Sequence, residues 1–571
     1  MKRRELMRLA AAAGLAGAGV AYSTSRSFAA AREFDLAVTH TRITVDGRTT
    51  PALAIGGEVP GPVMRWREGE EVVVRVANRL AEPTSIHWHG LLLAGVMDGA
   101  PGFNGFVAIP SGGTYTYRFA LRQAGTYWYH SHSAGQEQQG MYGAIVIEPA
   151  KPESVRADRD YVVVLSDHTP EHPDTILRKL KADSEVYVRR PRTLVDFFGD
   201  AQRDGLGATI SDRLAWGEMR MTPTDLADVT GYQFLMNGRG AEDNWTGLFT
   251  PGERVRLRFV NASAMTFFDV AIPGLRMVVV AADGQPVVPV PVDEFRFGIG
   301  ETYDVLVNPR DAKAFTVMAE PIDRSGYVRG TLAPREGMQA DIPPLRPRAL
   351  LSMADMGAMH GMDHSATPGL SGMDHSKMPG MAGMDHSKMP GMAGMDHSKM
   401  GQGAPASASD DPPALLVGWS EAATPPGKKA LDYRDLKAMV ASKVGAPAQE
   451  ILVQLTGQMN RYAWTLNGRR FDQSEPIRVK FGERVRIKFV NTTMMAHPMH
   501  LHGMFVELEN GQTDRRPLKH VVIVKPGAEA SVVLTANEVG EWPFHCHLLY
   551  HMNAGMMTRF IVEAPGKVAG L

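Results

Sequence analysis

The sequence predicts an all-β protein of three β-sandwich domains, and three observations support this prediction. With 571 residues, the chain has the length of about three domains of ~150–200 residues each. Short β-rich segments alternate with frequent glycine and proline (58 and 38 residues), which is typical of sandwiches rather than helical folds. One strand pattern also occurs three times, at 69–78, 252–261 and 482–491. It consists of a Gly-Glu turn, a run of largely apolar, often β-branched residues, and an asparagine nine positions after the glycine.

The N-terminal segment predicts an export signal. A twin-arginine start at 2–8 precedes a mildly apolar stretch rich in alanine and glycine, and small residues at 28–31 offer a cleavage site. The apolar stretch is too short to span a bilayer, which takes about 20 residues. We therefore expect a twin-arginine signal peptide at 1–31, a periplasmic location and no membrane anchor after processing. The alternative is a cytoplasmic protein with a basic N-terminus.

Beyond the signal, composition and repeats predict the order of domains. We expect domain 1 at 32–152, domain 2 at 153–345, a methionine- and histidine-rich segment at 346–412, and domain 3 at 413–571. The clearest strands are at 72–76, 145–147, 254–260, 277–281, 484–490 and 532–534. Helices look few and short, and 433–442 is one candidate. The formal net charge of −1 gives no sign of nucleic-acid binding, and a single cysteine excludes an intrachain disulfide.

The segment between domains 2 and 3 departs from the globular pattern. An 11-residue repeat begins at Met373, again at Met384 and in part at Met395. Its glycine, proline, serine and aspartate predict a flexible insertion, and its thioethers prefer Cu(I). We hypothesise that it collects Cu(I) for the mononuclear site described below; the alternative is a linker of accidental composition, for which oxidisable methionine is poor material. The proposed Cu(I) ligands are Met373, His375, Met378, Met381, Met384, His386, Met389, Met392, Met395, His397 and Met400.

Ten of the 19 histidines lie in four short motifs, at 87–90, 130–132, 497–503 and 545–551. The last motif holds the only cysteine, Cys546, between two histidines. Because successive side chains of a strand point to opposite faces, this tripeptide would serve two metal centres and join them through its backbone. A thiolate, two imidazoles and a weak axial thioether suit a blue-copper electron-transfer site. The available ligands are His497, Cys546, His551 and Met556.

Other interpretations of the motifs fit less well. Hard cations would require carboxylates and carbonyls, and the motifs carry no carboxylates. A structural zinc site would normally use more than one cysteine or a compact Cys/His spacing. A buried free thiol is the usual interpretation of a lone cysteine, but three further histidine pairs argue against chance proximity here.

The internal repeat indicates where the motifs meet. Histidines stand 18 and 20 residues after the patterned glycine in the first and last copies, whereas Val270 and Ile272 hold these positions in the middle copy. Domain 1 has Thr84, Ser131 and Gln136 where domain 3 has its mononuclear ligands. Domain 2 would therefore be a spacer or substrate wall, and three coppers would lie between domains 1 and 3. Their eight imidazoles would be those of His87, His89, His130, His132, His500, His502, His545 and His547.

The four motifs, in this order, resemble those of the multicopper oxidases, which include laccases and cuprous oxidases. The resemblance covers the whole mature chain except the methionine-rich segment. The leader and the repeats narrow it to the periplasmic copper-resistance protein A branch. It implies three cupredoxin-like Greek-key β-sandwiches and four copper ions. It assigns type 2 copper to His87 and His500, one type 3 copper to His89, His130 and His547, the other to His132, His502 and His545, and type 1 copper to His497, Cys546 and His551 with Met556 axial.

The resemblance also implies two catalytic residues. Asp98 stands 11 residues after His87, where related cuprous oxidases carry an acid near the cluster, and it would supply protons; the alternative is a simple turn residue. Cys546 would pass electrons to its two histidine neighbours, after they arrive at an exposed imidazole edge of His497 or His551. Met552 stands where some cuprous oxidases have a glutamate, which puts a proton route through that position in doubt.

The leading hypothesis is a periplasmic oxidase that couples one-electron oxidation of Cu(I), with phenols as a second donor class, to four-electron reduction of dioxygen to water in copper resistance. An axial methionine gives type 1 copper a lower reduction potential than an apolar residue would, which favours easily oxidised donors. The alternatives are a copper-sequestering periplasmic protein and a laccase-like phenol oxidase. Expected partners are dioxygen, Cu(I) or a small reducing substrate, and a periplasmic copper carrier; we expect a monomer. Four histidines outside the motifs are interpreted as surface or structural: His40, His168, His172 and His520.

Overall fold

A computed structural model describes residues 32–153, 155–187, 193–218, 226–346, 424, 427–442 and 445–565. Three consecutive stretches of this chain each form two β-sheets, which confirms the predicted all-β class. We call them the first, second and third sandwich. The predicted signal peptide at 1–31 and the methionine-rich insertion, with all of its proposed Cu(I) ligands, lie outside the described residues. Within the described ranges, no helix is long and apolar enough to cross a membrane.

The first sandwich consists of eight strands. They are β1 (Arg32–Val45), β2 (Arg48–Ile55), β3 (Gly61–Arg67), β4 (Glu71–Asn78), β5 (His87–His89), β6 (Thr114–Ala120), β7 (Gly125–His130) and β8 (Tyr142–Glu148). Their sheets have the orders β2-β1-β4-β6 and β3-β8-β7-β5. Alternate valines of β4, at Val72, Val74 and Val76, pack in one core with Trp66 and Trp88. This core holds the short β5 strand, with its two histidines, against β7.

The second sandwich contains a six-stranded and a five-stranded sheet. Its strands are β9 (Arg159–His168), β10 (Gln233–Met236), β11 (Trp245–Leu248), β12 (Val255–Asn261), β13 (Phe268–Ala271), β14 (Met277–Ala282), β15 (Gln285–Val292), β16 (Glu294–Phe297), β17 (Thr302–Val307), β18 (Phe315–Pro321) and β19 (Val328–Ala333). The sheet orders are β10-β9-β12-β17-β14-β15 and β11-β19-β18-β13-β16. The apolar residues of this sandwich and of the third form one continuous core, so the two pack tightly.

The third sandwich repeats this plan with a six-stranded and a five-stranded sheet. Its strands are β20 (Gln449–Gln458), β21 (Ala463–Leu466), β22 (Ile477–Lys480), β23 (Arg484–Asn491), β24 (His497–Leu501), β25 (Val506–Leu508), β26 (Leu518–Lys519), β27 (Val521–Val524), β28 (Glu529–Thr535), β29 (Gly540–Cys546) and β30 (Met557–Glu563). The sheet orders are β21-β20-β23-β28-β25-β26 and β22-β30-β29-β24-β27. In the second sheet β24 lies beside β29, so two histidine motifs are neighbours.

The asparagine of the repeated pattern has the same structural role in each sandwich. Asn78, Asn261 and Asn491 end β4, β12 and β23, and each is buried. Each side-chain amide donates to backbone carbonyls of the following loop, and each side-chain oxygen accepts the N–H two residues further on. Such local bonds define a tight turn. The turn sets the course of the chain toward the next strand, which is the one that carries histidines in the first and third sandwiches.

The helices differ from the prediction. The candidate at 433–442 is wrong beyond one 3-10 turn at Tyr433–Asp435, because the main chain after it is bonded to neighbouring strands, for example through the Val288 N–H to the Lys437 carbonyl. Three helices in the second sandwich were not predicted individually: α1 (Pro173–Ala182), α2 (Leu194–Asp204) and α3 (Leu206–Glu218). A fourth, α4 (Leu549–Asn553), follows β29. All six predicted strands are confirmed, although β12 begins at Val255 rather than at 254.

Candidate metal centres

Two histidine pairs of the first sandwich lie side by side. His87 and His89 belong to β5, and the antiparallel pairing of β5 with β7 places His87 opposite His130. The spacing of two residues directs both β5 imidazoles to one face, while Trp88 between them packs in the core. His132 follows two residues after the end of β7. The first sandwich thus offers four imidazoles at one end of its second sheet.

The third sandwich offers four more by the same strand pairing. His500 in β24 lies opposite His545 in β29, and His502 and His547 follow just after these strands. The two sandwiches face each other here, because the rings of His87 and His502 stack at 3.9 Å and those of His89 and His500 stack at 3.9 Å. The structure therefore brings all eight predicted imidazoles together.

The eight imidazoles form three groups whose potential ligand atoms lie within 4.8 Å of one another. Two of the groups combine one sandwich's histidines with the other's in the sets that the resemblance implied for the type 3 pair, and the third contains the implied type 2 pair. The groups are His87 with His89 and His500, His89 with His130 and His547, and His132 with His502 and His545.

The free ring nitrogens of these groups point at common positions. His87 and His500 donate from Nδ1 to backbone carbonyls at 2.8 and 2.7 Å, while each Nε2 is buried without a hydrogen-bond partner among the described residues. The Nε2 atoms of His130 and His132 are equally unpaired. Buried unpaired polar atoms are rare in folded proteins and require an explanation, which a bound metal supplies.

Burial also sets the protonation state of the groups. It is the largest cause lowering the pKa of His132 and of His547 to about 3, and neighbouring imidazoles lower both further. The pKa values of five other cluster histidines lie well below the ordinary value for the same reasons: His89, His130, His500, His502 and His545. Neutral imidazoles with free lone pairs are ligands that suit copper, so the residues present fit this metal.

A fourth group lies inside the third sandwich. The Cys546 Sγ is 3.6 Å from His497 Nδ1 and 3.8 Å from His551 Nδ1, and the two Nδ1 atoms are 3.2 Å apart. The other ring nitrogen of each histidine is engaged, by Thr493 at 2.6 Å and by Asp228 at 2.6 Å. Nδ1 is therefore the free ligand atom of each ring. Met556 is fully buried nearby in sequence, and its carbonyl accepts the Cys546 N–H.

Cys546 joins the fourth group to the other three. It is the last residue of β29, and its thiol and the imidazole of His545 point to opposite faces, as strand geometry requires. His545 and His547 belong to two different histidine groups. Burial raises the pKa of the Cys546 thiol, so a metal that binds the thiolate has to displace its proton.

Comparison with known proteins agrees with this geometry. Multicopper oxidase family models match residues 37–152, 159–337 and 445–566. The chain belongs to the multicopper oxidase family. It is 47% identical over 564 residues to Copper resistance protein A of Escherichia coli, covering 93% of this chain and 92% of that protein. It is 48% identical over 606 residues to Copper resistance protein A of Pseudomonas syringae pv. tomato, covering 98% and 99%.

Solved structures support the fold. The laccase from Botrytis aclada superposes with a TM-score of 0.64 at 21% identity, covering 93% of this chain and 88% of that one. The metallo-oxidase from Campylobacter jejuni gives 0.57 at 17%, covering 93% and 91%. The three cupredoxin-like sandwiches are thus confirmed. As a multicopper oxidase, the protein uses copper as cofactor, dioxygen as electron acceptor and a reducing substrate as donor.

In this multicopper oxidase Asp98 is both a turn residue and a neighbour of the histidines. Its N–H bonds to the Gly95 carbonyl at the end of a 3-10 turn, Gly95–Met97. Its carboxylate Oδ2 accepts from His502 Nδ1 at 2.8 Å, and Oδ1 lies 3.4 Å from His87 Nδ1. One buried carboxylate therefore contacts both sandwiches. The turn interpretation is confirmed, and the supply of protons by Asp98 stays a prediction.

The position in the first sandwich that corresponds to the Cys546 group contains hydrogen-bonded polar side chains. Gln136 Oε1 accepts from Thr84 Oγ1 at 2.7 Å and from Ser131 Oγ at 2.8 Å, and Thr84 Oγ1 also lies 3.8 Å from Met141 Sδ. Their polar atoms are paired without a metal. In the second sandwich, Val270 and Ile272 at the histidine positions are buried in the apolar core.

The expectation of an exposed imidazole edge is wrong. His497 and His551 are both 0% exposed, because residues of two sandwiches cover them. The ring of Trp464 stacks on His551 at 3.9 Å. Asp228, from the second sandwich, accepts from His551 Nε2 and from the Tyr462 hydroxyl, both at 2.6 Å. Asp228 carries no sequence signal, since it stands alone between elements and far from the histidine motifs.

Sequence reasoning also missed two residues beside the cluster. Glu137 is buried with Oε2 3.0 Å from His130 Nδ1, and its pKa is raised by burial; its closeness in sequence to His130 was the available signal. His520 is buried rather than at the surface, and its Nδ1 lies 3.2 Å from His89 Nε2. Met552 lies in α4. Its side chain is a thioether, so there is no carboxylate at this position, through which a proton route was in doubt. His40 and His172 are exposed, and His168 is buried against Thr50, as the surface or structural interpretation expects.

Proposed function

We propose that this multicopper oxidase is a periplasmic cuprous oxidase of copper resistance, in which Cu(I) is the electron donor. The observation that carries the proposal is the covered Cys546 group, whose His551 is hydrogen-bonded to a buried carboxylate, Asp228. The two relatives named Copper resistance protein A, at 47% and 48% identity over almost the whole chain, support the biological role.

The proposal includes the copper ligands. The donor atoms that lie together in each group support the assignment implied by the family, which takes every ligand except Met556 from the four motifs. Type 2 copper would be held by His87 and His500; the type 3 pair by His89, His130 and His547 and by His132, His502 and His545; and type 1 copper by His497, Cys546 and His551, with Met556 axial.

The geometry favours a metal ion over a phenol as the donor. A phenol would need van der Waals contact with an imidazole edge, and His551 is fully buried, stacked on Trp464 and hydrogen-bonded to Asp228. A cation, in contrast, is attracted by the buried carboxylate, whose Oδ1 has no hydrogen-bond partner among the residues described. Electrons would then pass from the Asp228 side across the 2.6 Å bond to the His551 ring.

Bound copper would supply the one-electron redox chemistry and the coordination of dioxygen. The chain supplies the path and the protons. Cys546 connects to His545 and His547 through its own backbone, which is the shortest covalent route between the two kinds of site. Asp98, hydrogen-bonded to His502 Nδ1, is placed to hold a proton at the edge of the cluster and to release it as oxygen is reduced. Burial of the rings excludes bulk water from the site.

Location, assembly and copper supply are part of the proposal. The twin-arginine leader at 1–31 would direct the protein to the periplasm, where the mature chain would act as a monomer. Cu(I) would arrive from a periplasmic copper carrier or through the methionine-rich segment. Replacing Arg3 and Arg4 by lysine and locating the protein by cell fractionation tests the export step; periplasmic protein at wild-type level would contradict the twin-arginine route.

The direct test of function compares donors on copper-loaded protein. We expect four coppers per chain and oxygen uptake that is fast with Cu(I) and slow with a simple phenol. Efficient phenol oxidation without added copper would instead favour the laccase-like function. Copper binding far above four per chain with negligible oxygen uptake would favour sequestration.

A further inference from the structure

The second sandwich reaches the histidine groups although none of the groups described above takes a member from it. Asp283, in the turn between β14 and β15, is fully buried, and its Oδ2 accepts the backbone N–H groups of His520 and Val521 at 3.0 and 3.1 Å. Its Oδ1 accepts the Thr302 N–H at 3.1 Å. Lys519 Nζ, also fully buried, lies 3.1 Å from the same carboxylate. Asp283 therefore fixes the chain at 519–521 between two sandwiches.

His520, held in this way, touches two proposed ligands by two different atoms. Its carbonyl accepts from His500 Nδ1 at 2.7 Å, which leaves Nε2 of His500 free for the metal. Its side-chain Nδ1 lies 3.2 Å from His89 Nε2. His89 faces its group with the opposite nitrogen, since His89 Nδ1 is 3.2 Å from His547 Nε2. His89 must therefore carry its proton on Nε2 and donate it to His520.

The state of His520 matches this role. Because His89 Nε2 donates, the His520 Nδ1 at 3.2 Å is the acceptor. Its own proton then lies on Nε2, which is buried without a partner among the described residues. Gly90 provides the space, because a Cβ there would stand 2.6 Å from His520 Cδ2 and 2.8 Å from Nε2. The fold therefore leaves the Nε2–H of His520 unpaired and keeps the Nδ1 of His520 as the acceptor for the Nε2–H of His89.

We propose that His520 is a positioning residue that fixes His89 as an Nδ1 ligand and His500 as an Nε2 ligand, and that Asp283 of the second sandwich holds it in place. The inference rests on the ligand assignment proposed above. Hydrogen-bond partners of metal-ligating histidines typically change metal affinity or activity 10- to 100-fold. The second sandwich, which provides none of the proposed copper ligands, would thereby determine the copper affinity of the cluster.

The test measures copper release from the loaded enzyme to a chelator, without turnover. His520→Ala removes the acceptor of the His89 Nε2–H and keeps the backbone carbonyl that bonds to His500. Cluster copper should therefore leave 10- to 100-fold faster. The blue absorption of the Cys546 site should be unchanged. His520→Asn, whose amide oxygen can accept from His89, should restore slow release. His168→Ala is the matched control, since His168 is as buried as His520 but contacts Thr50 rather than a proposed ligand.

Asp283→Asn separates the side-chain role of His520 from the main-chain role. Asp283 accepts with both oxygens, Oδ2 from the His520 and Val521 N–H groups and Oδ1 from the Thr302 N–H, whereas an amide has one accepting oxygen. This variant should therefore also loosen His500 and alter the paramagnetic-resonance signal of type 2 copper, which His520→Ala should spare. If His520→Ala does not fold, His520→Leu takes its place. A four-copper wild type whose His520 variants release copper as slowly as the control overturns this inference alone. A wild type that never binds cluster copper overturns the ligand assignment and this inference with it.

Discussion

Asp228 of the second sandwich and His551 of the third share a hydrogen bond of 2.6 Å in which both side chains are 0% exposed. A buried carboxylate beside a ligand ring is costly to place in the interior, and its second oxygen has no partner among the described residues. Under the proposed function, this arrangement would give a donor cation a negatively charged contact next to the ring that receives its electron.

Asp228→Asn should therefore weaken oxidation of Cu(I) more than oxidation of an outer-sphere donor. We expect Cu(I)-dependent oxygen uptake to fall about 10-fold or more, the scale of changes to partners of ligating histidines, with the blue absorption retained. Asp323→Asn is the control, because Asp323 is a buried acid of the same sandwich bonded to Ser325 instead. Equal losses with both donors would show that Asp228 only supports the site structurally.

Cys546→Ser should abolish both the blue absorption and turnover, since a hydroxyl is a poor copper ligand and the covalent route to His545 and His547 loses its sulfur. The three histidine groups do not contain Cys546, so three coppers per chain should remain. Elemental analysis and the visible spectrum measure both quantities. Ser131→Ala, at the corresponding position of the first sandwich, should change neither, and a blue Cys546→Ser protein would contradict the assignment of type 1 copper.

Asp98→Asn should slow the reduction of dioxygen while Cys546-site copper is still reduced rapidly. A positioned proton donor contributes 10²- to 10⁴-fold, and the amide keeps the contact with His502 without a proton to release. Stopped-flow reduction under anaerobic conditions followed by reoxidation separates the two steps. An unchanged reoxidation rate at full copper loading would leave Asp98 with its turn role alone.

The metal-free protein should lose stability as the pH falls below about 6.5. Unfolded imidazoles take up protons near pH 6.5, whereas His132 and His547 in the folded chain do so only near pH 3. Between these values the unfolded chain binds more protons, so the free energy of unfolding decreases with decreasing pH. Glu137, whose pKa is raised by burial, contributes in the opposite sense.

Thermal unfolding of the metal-free chain measures this pH dependence. The double variant His132→Asn/His547→Asn should show a smaller decline in the midpoint between about pH 6.5, the unperturbed imidazole pKa, and about pH 3, the pKa of both rings in the folded chain. His40→Asn is a matched control, since His40 is exposed. A decline as steep in the double variant as in the wild type would contradict this assignment of the proton uptake.

The sequence predicted the parts of the site that are encoded by fixed spacing. The eight paired histidines and Cys546 lie on strands or within two residues of a strand end. The strand period determines the direction of the strand side chains, so the repeat was enough to place the pairs on facing edges. It could not reveal Asp228 or His520. Asp228 meets His551 across 323 positions and His520 meets His89 across 431, and such contacts depend on how whole sandwiches pack.

The fold shows the same division between local and distant determinants. The strands around the repeated asparagines were predicted because alternation and turn signals are local. The helix candidate at 433–442 failed because its backbone groups bond to β15 and to the 510–515 loop, for example through Asn510. The helices α1–α3 lie between β9 and β10 of the second sandwich. The repeated strand pattern does not include this segment, so it did not predict them.

The hydrogen-bonded side chains of Thr84, Ser131 and Gln136 affect the direction of electron transfer. His130 and His132 flank Ser131 just as His545 and His547 flank Cys546, so the trinuclear pocket is built almost symmetrically from two related halves. Only one half has a redox-active sulfur behind its histidines. Under the proposed ligand assignment, electrons would therefore enter the cluster only through the third sandwich, and the first sandwich would offer no second route by which they could leave it.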